Sequence, residues 1–246
     1  MTKLTGAPQI FDLNPYEQTD AQKHQLGAKG IASNGDIYRY TKINAADTDL
    51  IAGYLLTALA KEALHVNLAV AVANVVGDKK VVLDVGATAV DAHEYEEGTL
   101  QFNDNSPEGE TYSITAHEAN AGSLETDIYI DPALMTATVA DSSQADLIRN
   151  VWNNPAISQL IAERAAGVAM SDWDVSVANF GWLKTRGMAA VLCDRSNWTK
   201  GYRLAISNED DGAMGVSDAG ATMVDVGQGI DTGVSGEFNA VYITID

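Results

Sequence analysis

Short apolar-alternating runs, each closed by a turn of Gly, Asn, Asp or Pro, recur from Leu26 to the end of the chain. That punctuation excludes a helical bundle, which needs long segments of 3.6-residue periodicity, and admits sandwiches and barrels of short strands. Ser33-Asn34-Gly35-Asp36 is a strong turn signal, because Asn and Gly tolerate positive φ. Ile37–Lys42, aromatic and β-branched, is the strand that follows. Val81–Val85 starts after the turn Gly77–Lys80, and Gly98–Phe102 and Glu110–Ile114 flank a hairpin loop over 103–109. Leu124–Ile130 ends before Asp131-Pro132, where proline stops a ladder. In the last third the same texture marks Phe180–Thr185, Ala189–Cys193, Tyr202–Ser207, Thr222–Val226 and Phe238–Ile245.

Two segments leave helix and strand open. Leu50, Tyr54, Leu55, Leu59 and Leu64 have roughly helical spacing, but Gly53 interrupts them, so 55–64 allows either. Ile157, Leu160, Ile161 and Arg164 allow a short helix over 156–166 after Pro155. Residues 1–25 show no period and are broken by Pro8 and Pro15, which predicts an extended N-terminal arm. Ile10, Phe11, Leu13 and Tyr16 are its sizeable apolar side chains besides Met1 and Leu4, and so its candidate anchors to a partner or neighbouring subunit. The expected fold is mainly β. Two small β-barrel or sandwich units, 26–150 and 151–246, follow the arm 1–25, with at most one or two short helices.

Composition narrows the partners. A chain of 246 residues is one large or two ordinary domains, and 46% hydrophobic content supports a self-sufficient core. Fifteen basic against 34 acidic residues give a net charge of −19, which repels nucleic acid and anionic lipid. No stretch approaches the roughly 18 apolar residues of a membrane span. The opening MTKLTGAPQIFDLNPYEQ lacks the apolar core of a secretory signal. The single Cys193 excludes an internal disulfide and a cysteine metal cluster.

No motif assembles a catalytic constellation. His24, His65, His93 and His117 have no i, i+4 pairing, and His93-Glu94 and His117-Glu118 lack the second His of a zinc helix. Asn103-Asp104-Asn105 and Glu209-Asp210-Asp211 are oxygen-rich, but without the alternate-position spacing of a calcium loop they read as turns. Gly227-Gln228-Gly229-Ile230-Asp231-Thr232-Gly233 superficially matches a dinucleotide loop, yet a strand follows it instead of a helix. None of the serines sits in a Gly-x-Ser-x-Gly elbow. No enzyme activity, cofactor or metal is expected. In Asn179–Leu192, Phe180, Trp182, Met188 and Val191 alternate with polar or small residues, and Arg186-Gly187 marks a bend. That pattern predicts a long bent hairpin with Lys184 exposed and Trp182 packed inside.

Several phrases together resemble the capsid decoration, or cement, proteins of tailed bacteriophages. They are Leu26-Gly27 with Gly35–Tyr40, Val85–Val90, Glu97–Leu100, Gly181–Gly187 and the closing Gly236–Ile245. They span from about residue 26 to the end, while the arm has no counterpart and Asp141–Trp152 departs from the pattern. The resemblance implies a β-rich subunit without catalysis, often a homotrimer, bound to the major capsid protein on the outer surface of the virion. Under it Arg186 is a hairpin corner and not a phosphate clamp. A head-fibre or tail component is the nearest alternative. A carbohydrate-binding β module is another, for which Trp173, Trp182 and Trp198 would be the stacking faces.

Overall fold

The computed structural model describes residues 9–11, 13–43, 50–122, 125–158, 164–174, 179–217 and 224–246. The chain is nearly all β. In chain order β1 (Gln9–Phe11), β2 (Lys29–Ile31), β3 (Ile37–Lys42) and β4 (Leu55–Thr57) come first. Next come β5 (Leu68–Ala69), β6 (Lys80–Asp84), β7 (Thr99–Asp104), β8 (Thr111–His117), β9 (Glu125–Asp131) and β10 (Gln144–Ile148). The last group is β11 (Ala156–Ile157), β12 (Ala165–Ala169), β13 (Phe180–Leu192), β14 (Arg203–Ile206), β15 (Met214–Val216), β16 (Asp225–Gly229) and β17 (Phe238–Thr244).

The chain divides into two compact units, Met1–Leu59 with Val151–Asp246, and Ala60–Asn150. This differs from the linear division into 26–150 and 151–246, because 26–59 belongs with the C-terminal residues. The cause is pairing: β3 is hydrogen-bonded to β13, and β4 to both β11 and β12. Strand-forming residues announce a strand but not its partner, so the insertion of one unit into the other leaves no local trace.

The discontinuous unit is a nearly closed, barrel-like sheet of eleven strands. Its main path runs β1-β2-β3-β13-β17-β16-β14-β15, with β12 joining β4 to β13. Three buried clusters fill it. Leu55, Val168, Val191, Trp198, Leu204, Val241 and Ile243 belong to the largest, and Ile43, Leu50, Leu56, Trp173 and Leu183 to a second. Tyr38, Tyr40 and Trp182 form the third. Strand β12 is buried at every position, as is β4, which is why neither alternates in sequence.

The inserted unit is a curled half-barrel of six strands in the order β5-β10-β7-β8-β9-β6. An isolated bridge between Val70 and Leu83 draws its two ends together. Here the alternation is plain: in β8 Tyr112 and Ile114 point inward between exposed Thr111, Ser113 and Thr115, the signature of a sheet with one wet face. Tyr95 is the hub of this core. Its hydroxyl lies 2.5 Å from His65 Nδ1, and its backbone N–H donates to His117 Nε2 at 3.0 Å. Both histidines are buried members of the fold.

The open segments resolve as strand and turn. Over 55–64 the chain forms β4 and then the start of a single 3-10 turn, Ala63–His65, and no α-helix occurs among the described residues. Over 156–166 β11 and the beginning of β12 are seen, and 159–163 lies outside the described residues. Likewise 222–223 and Leu124 lie outside them. Residues 180–192 form one 13-residue strand and no hairpin. The apparent corner at Arg186 is an irregularity in register between Lys184 and Arg186, after which β13 leaves β3 and continues along β17.

Trp182 is 3% exposed and lies edge-on to Tyr40, with ring centroids 5.1 Å apart. Trp182→Ala is expected to cost about 3–5 kcal/mol through the cavity it leaves. Chemical denaturation measures this, and an unchanged midpoint would place the indole outside the core.

Candidate functional site

The four arm residues are not gathered into one free surface. Strand β1 runs parallel to β2, with Ile10 opposite Gly30, and Thr19 is bridged to Phe180. Ile10 and Leu13 pack against the Tyr38–Tyr40–Trp182 cluster of their own chain. The approach is so close that a Cβ on Gly30 would lie 2.4 Å from Leu13 Cδ2 and 2.9 Å from the Trp182 ring. Phe11 contributes its backbone to β1, and its side chain lies outside the described residues, as do residues 1–8. Tyr16, 59% exposed, is the one of the four that faces solvent. Strand β1 is thus paired to β2 on one edge and stands at the end of the sheet path.

Lys184, expected at the surface, is buried. Its side chain is 5% exposed and its ammonium donates to Asp36 Oδ2 at 2.7 Å and to the Met188 carbonyl at 2.5 Å. It also lies 5.4 Å from the centre of the Tyr38 ring. Burial, with Asp36 beside it, pushes the Tyr38 hydroxyl well above its ordinary range, so the phenol stays neutral. Gly187 is required at this point. Its φ is +115°, and a Cβ there would sit 1.9 Å from Asp36 Oδ1. The cation–glycine pair that suggested a clamp is therefore split: Lys184 holds the bend from inside, and Arg186 projects outward from mid-strand.

The other chemical candidates settle into structural roles. Burial, with Asp194 adjacent, pushes the Cys193 thiol up to about 11, so it is a protonated core residue near neutral pH. Asn103 donates to Asn67 Oδ1 at 2.6 Å and to Asp146 Oδ1 at 2.7 Å. The backbone N–H groups of Glu209 and Asp210 donate to Ser207 Oγ, closing a turn. Gly227 and Gly229 lie within β16, opposite Ile243 and Val241 of β17. Among the described residues no group of three His, Cys, Asp or Glu side chains is placed to hold a metal ion. A cavity of about 310 Å³ in the inserted unit has Asp84 as the one titratable group of its lining. Trp173, Trp182 and Trp198 are 4%, 3% and 1% exposed, which leaves none of them a face on which a sugar could stack.

What the discontinuous unit does present is the outer face of β13 and β17. Antiparallel pairing sets Arg186 opposite Thr244, Met188 opposite Tyr242, Ala190 opposite Ala240 and Leu192 opposite Phe238. Met188, Tyr242 and Phe238 are 45%, 37% and 43% exposed. Tyr54 extends the face by stacking on Phe238, with centroids 6.3 Å apart and planes 18° from parallel. Gln228 of β16 continues the row beyond Tyr242. None of these residues is acidic, in a chain with 34 acidic residues. The alternation in β13 and β17 identifies two faces, but both are apolar enough to be a core, so sequence alone could not single out this one as exposed.

No protein-family model, curated protein sequence or solved structure matches the chain.

The buried pair gives a direct test of the bend. Lys184→Met strands the Asp36 carboxylate and is expected to cost about 3–5 kcal/mol. Adding Asp36→Leu removes the stranded charge and should recover a substantial part of the loss, read as a coupling in a double-mutant cycle of urea unfolding. Additive losses would mean that the two side chains do not act as a pair.

Proposed function

We propose that this chain is a virion structural protein that decorates the outside of a tailed-phage capsid, attached to the major capsid protein through the outer face of β13 and β17. The observation that carries this reading is that face: Met188, Tyr242 and Phe238 stand exposed on it, and no acidic residue occurs among its cross-strand pairs, on a chain of net charge −19. Exposed apolar sheet surface of this kind serves contact with another macromolecule. On so acidic a chain, a contact face without carboxylates is one that avoids local like-charge repulsion. Three of the phrases that resemble decoration proteins also fall on neighbouring strands. Gly35–Tyr40 ends in β3, Gly181–Gly187 lies in β13 and Gly236–Ile245 contains β17, and these three are consecutive across the sheet. The homotrimer implied by the same resemblance belongs to this proposal.

Particles carrying the protein, labelled with an antibody to it, are expected to show label over the capsid. Met188→Glu combined with Tyr242→Glu should lower capsid occupancy about tenfold or more while the melting temperature stays within a few degrees of the parent. Label confined to head fibres or the tail would transfer the protein to those structures. Unlabelled particles would reject a virion role.

A further inference from the structure

In the inserted unit the Asp146 carboxylate holds an amine and an amide at once. Asp146, on β10, is 6% exposed. Its Oδ2 is ion-paired with Lys61 Nζ, and its Oδ1 accepts from Asn103 Nδ2 at 2.7 Å. Asn103 is the extra residue of a bulge, because Gln144 faces Asp104 and Ala145 faces Phe102. Asn67, at φ +54°, fixes both groups. Its backbone N–H donates to Asp146 Oδ1 at 2.7 Å, and its Oδ1 accepts from Asn103 Nδ2 at 2.6 Å. The bonds that close the Asn103 loop thus also seat its amide nitrogen on Asp146. Its carbonyl oxygen is buried and accepts no hydrogen bond among the described residues, an orphan that calls for an explanation. A second lysine–aspartate pair with an asparagine beside it, Lys184–Asp36, lacks this feature. There Asn34 donates to Asp36 Oδ2 at 3.0 Å, but its own carbonyl accepts from the Asp36 N–H at 3.1 Å.

We propose that Lys61 and Asn103 become joined by an amide bond formed on Asp146, a covalent staple within the inserted unit. Lys61 Nζ passes one proton to Asp146 Oδ2, which turns a part-buried ion pair into two neutral groups and frees the nitrogen lone pair. The flexible lysine stem brings that lone pair onto Asn103 Cγ, and the carbonyl π pair moves to Oδ1. Asp146 then hands its proton to Nδ2 and takes the second from Nζ. The carbonyl re-forms, the Cγ–Nδ2 bond breaks with its electron pair, and ammonia leaves. Asp146 gives its proton to that ammonia, so ammonium is released and the carboxylate is restored. The balance needs no oxidant, reductant or further reactant. Free side chains react in this way slowly, but an amine and an amide held on the two oxygens of one carboxylate react within one molecule. Asp146 is the catalytic residue, and Asn67 positions it and the amide. The bond closes the chain from 61 to 103 into a loop and ties the start of the inserted unit to β7. The inference stands on the inserted unit alone and does not rest on the virion reading.

The test is the intact mass of the denatured full chain, 26.1 kDa by sequence, after prolonged incubation in the folded state. The parent is expected to be lighter than its sequence by one ammonia. A tryptic digest should hold Lys61 and Asn103 in one joined peptide, with no cut after Lys61. Lys61→Arg keeps a cation beside Asp146 without the amine, and it should show the full sequence mass, as should Asn103→Ala. The parent measurement needs no variant, so it decides the matter even where a variant fails to fold. A parent at its full sequence mass overturns the proposal. So does ammonia lost without the joined peptide, which marks an asparagine cyclised on its own backbone. Water lost with Lys61 joined to Asp146, or a Lys61→Arg chain that still loses ammonia, overturns it equally.

Discussion

The discontinuous unit depends on one strand serving three partners. Strand β13 pairs with β3 and, at Leu183–Lys184, with β12 along its first half and with β17 along its second, and the change of partners falls at Lys184–Gly187. At that point the ladder loses register, the backbone enters positive φ, and an ammonium is taken out of water. Burying a charge costs several kcal/mol unless it is paired and fully hydrogen-bonded. Lys184 meets that demand with a carboxylate, a carbonyl and an aromatic face. Asp36 comes from the turn before β3, so the ion pair also fixes where the β2–β3 hairpin meets the bend.

The same crossing closes the unit at its far end. Arg39 of β3 donates to Asp246 Oδ2 at 2.6 Å and to Asp246 Oδ1 at 2.8 Å, and Thr185 Oγ1 donates to the same carboxylate at 2.9 Å. Burial pushes the Asp246 carboxyl up, but the hydrogen bonds from Arg39 and Thr185 and the charge of Arg39 outweigh it and hold it below its ordinary value. The end of β17, the middle of β13 and β3 are thereby tied at one corner. The outer face of β13 and β17 presents Met188, Tyr242 and Phe238 side by side because the two strands stay in register from Arg186–Thr244 to Leu192–Phe238.

Much of the fold was legible in the residues, for a physical reason. Where one face of a sheet is wet, as in β8 and β9, burial alternates with the side chains and the strand can be read directly. Ile37–Lys42 was visible instead by its aromatic and β-branched residues after the Asn34-Gly35 turn, and the 103–109 hairpin by its turn residues. Strands buried on both faces, β4 and β12, lose that period and look like helix or loop. Strand β10 was hidden differently: its Asp146 is 6% exposed and is satisfied by Lys61, the Asn67 backbone N–H and Asn103, partners that are distant in sequence. Lys184 misled for the same reason. A charge buried with a partner cannot be told from a solvated one until the partner is known.

The candidate surfaces were the least legible part. Met188 and Tyr242 look like core residues in any one-dimensional reading, and only the pairing of β13 with β17 leaves them in water. Ile10 and Leu13 are the converse case: isolated apolar points in a polar tract, they fill their own chain's core because Gly30 lets them approach Trp182.

Hydrogen exchange of backbone amides tests the role of β13 most directly. If the strand is the shared spine of its unit, the amides of Trp182–Val191 that pair with β3 and β17 exchange only through global opening and are the slowest in the discontinuous unit. Exchange of these amides as fast as those of the edge strands β1 and β15 would contradict the account.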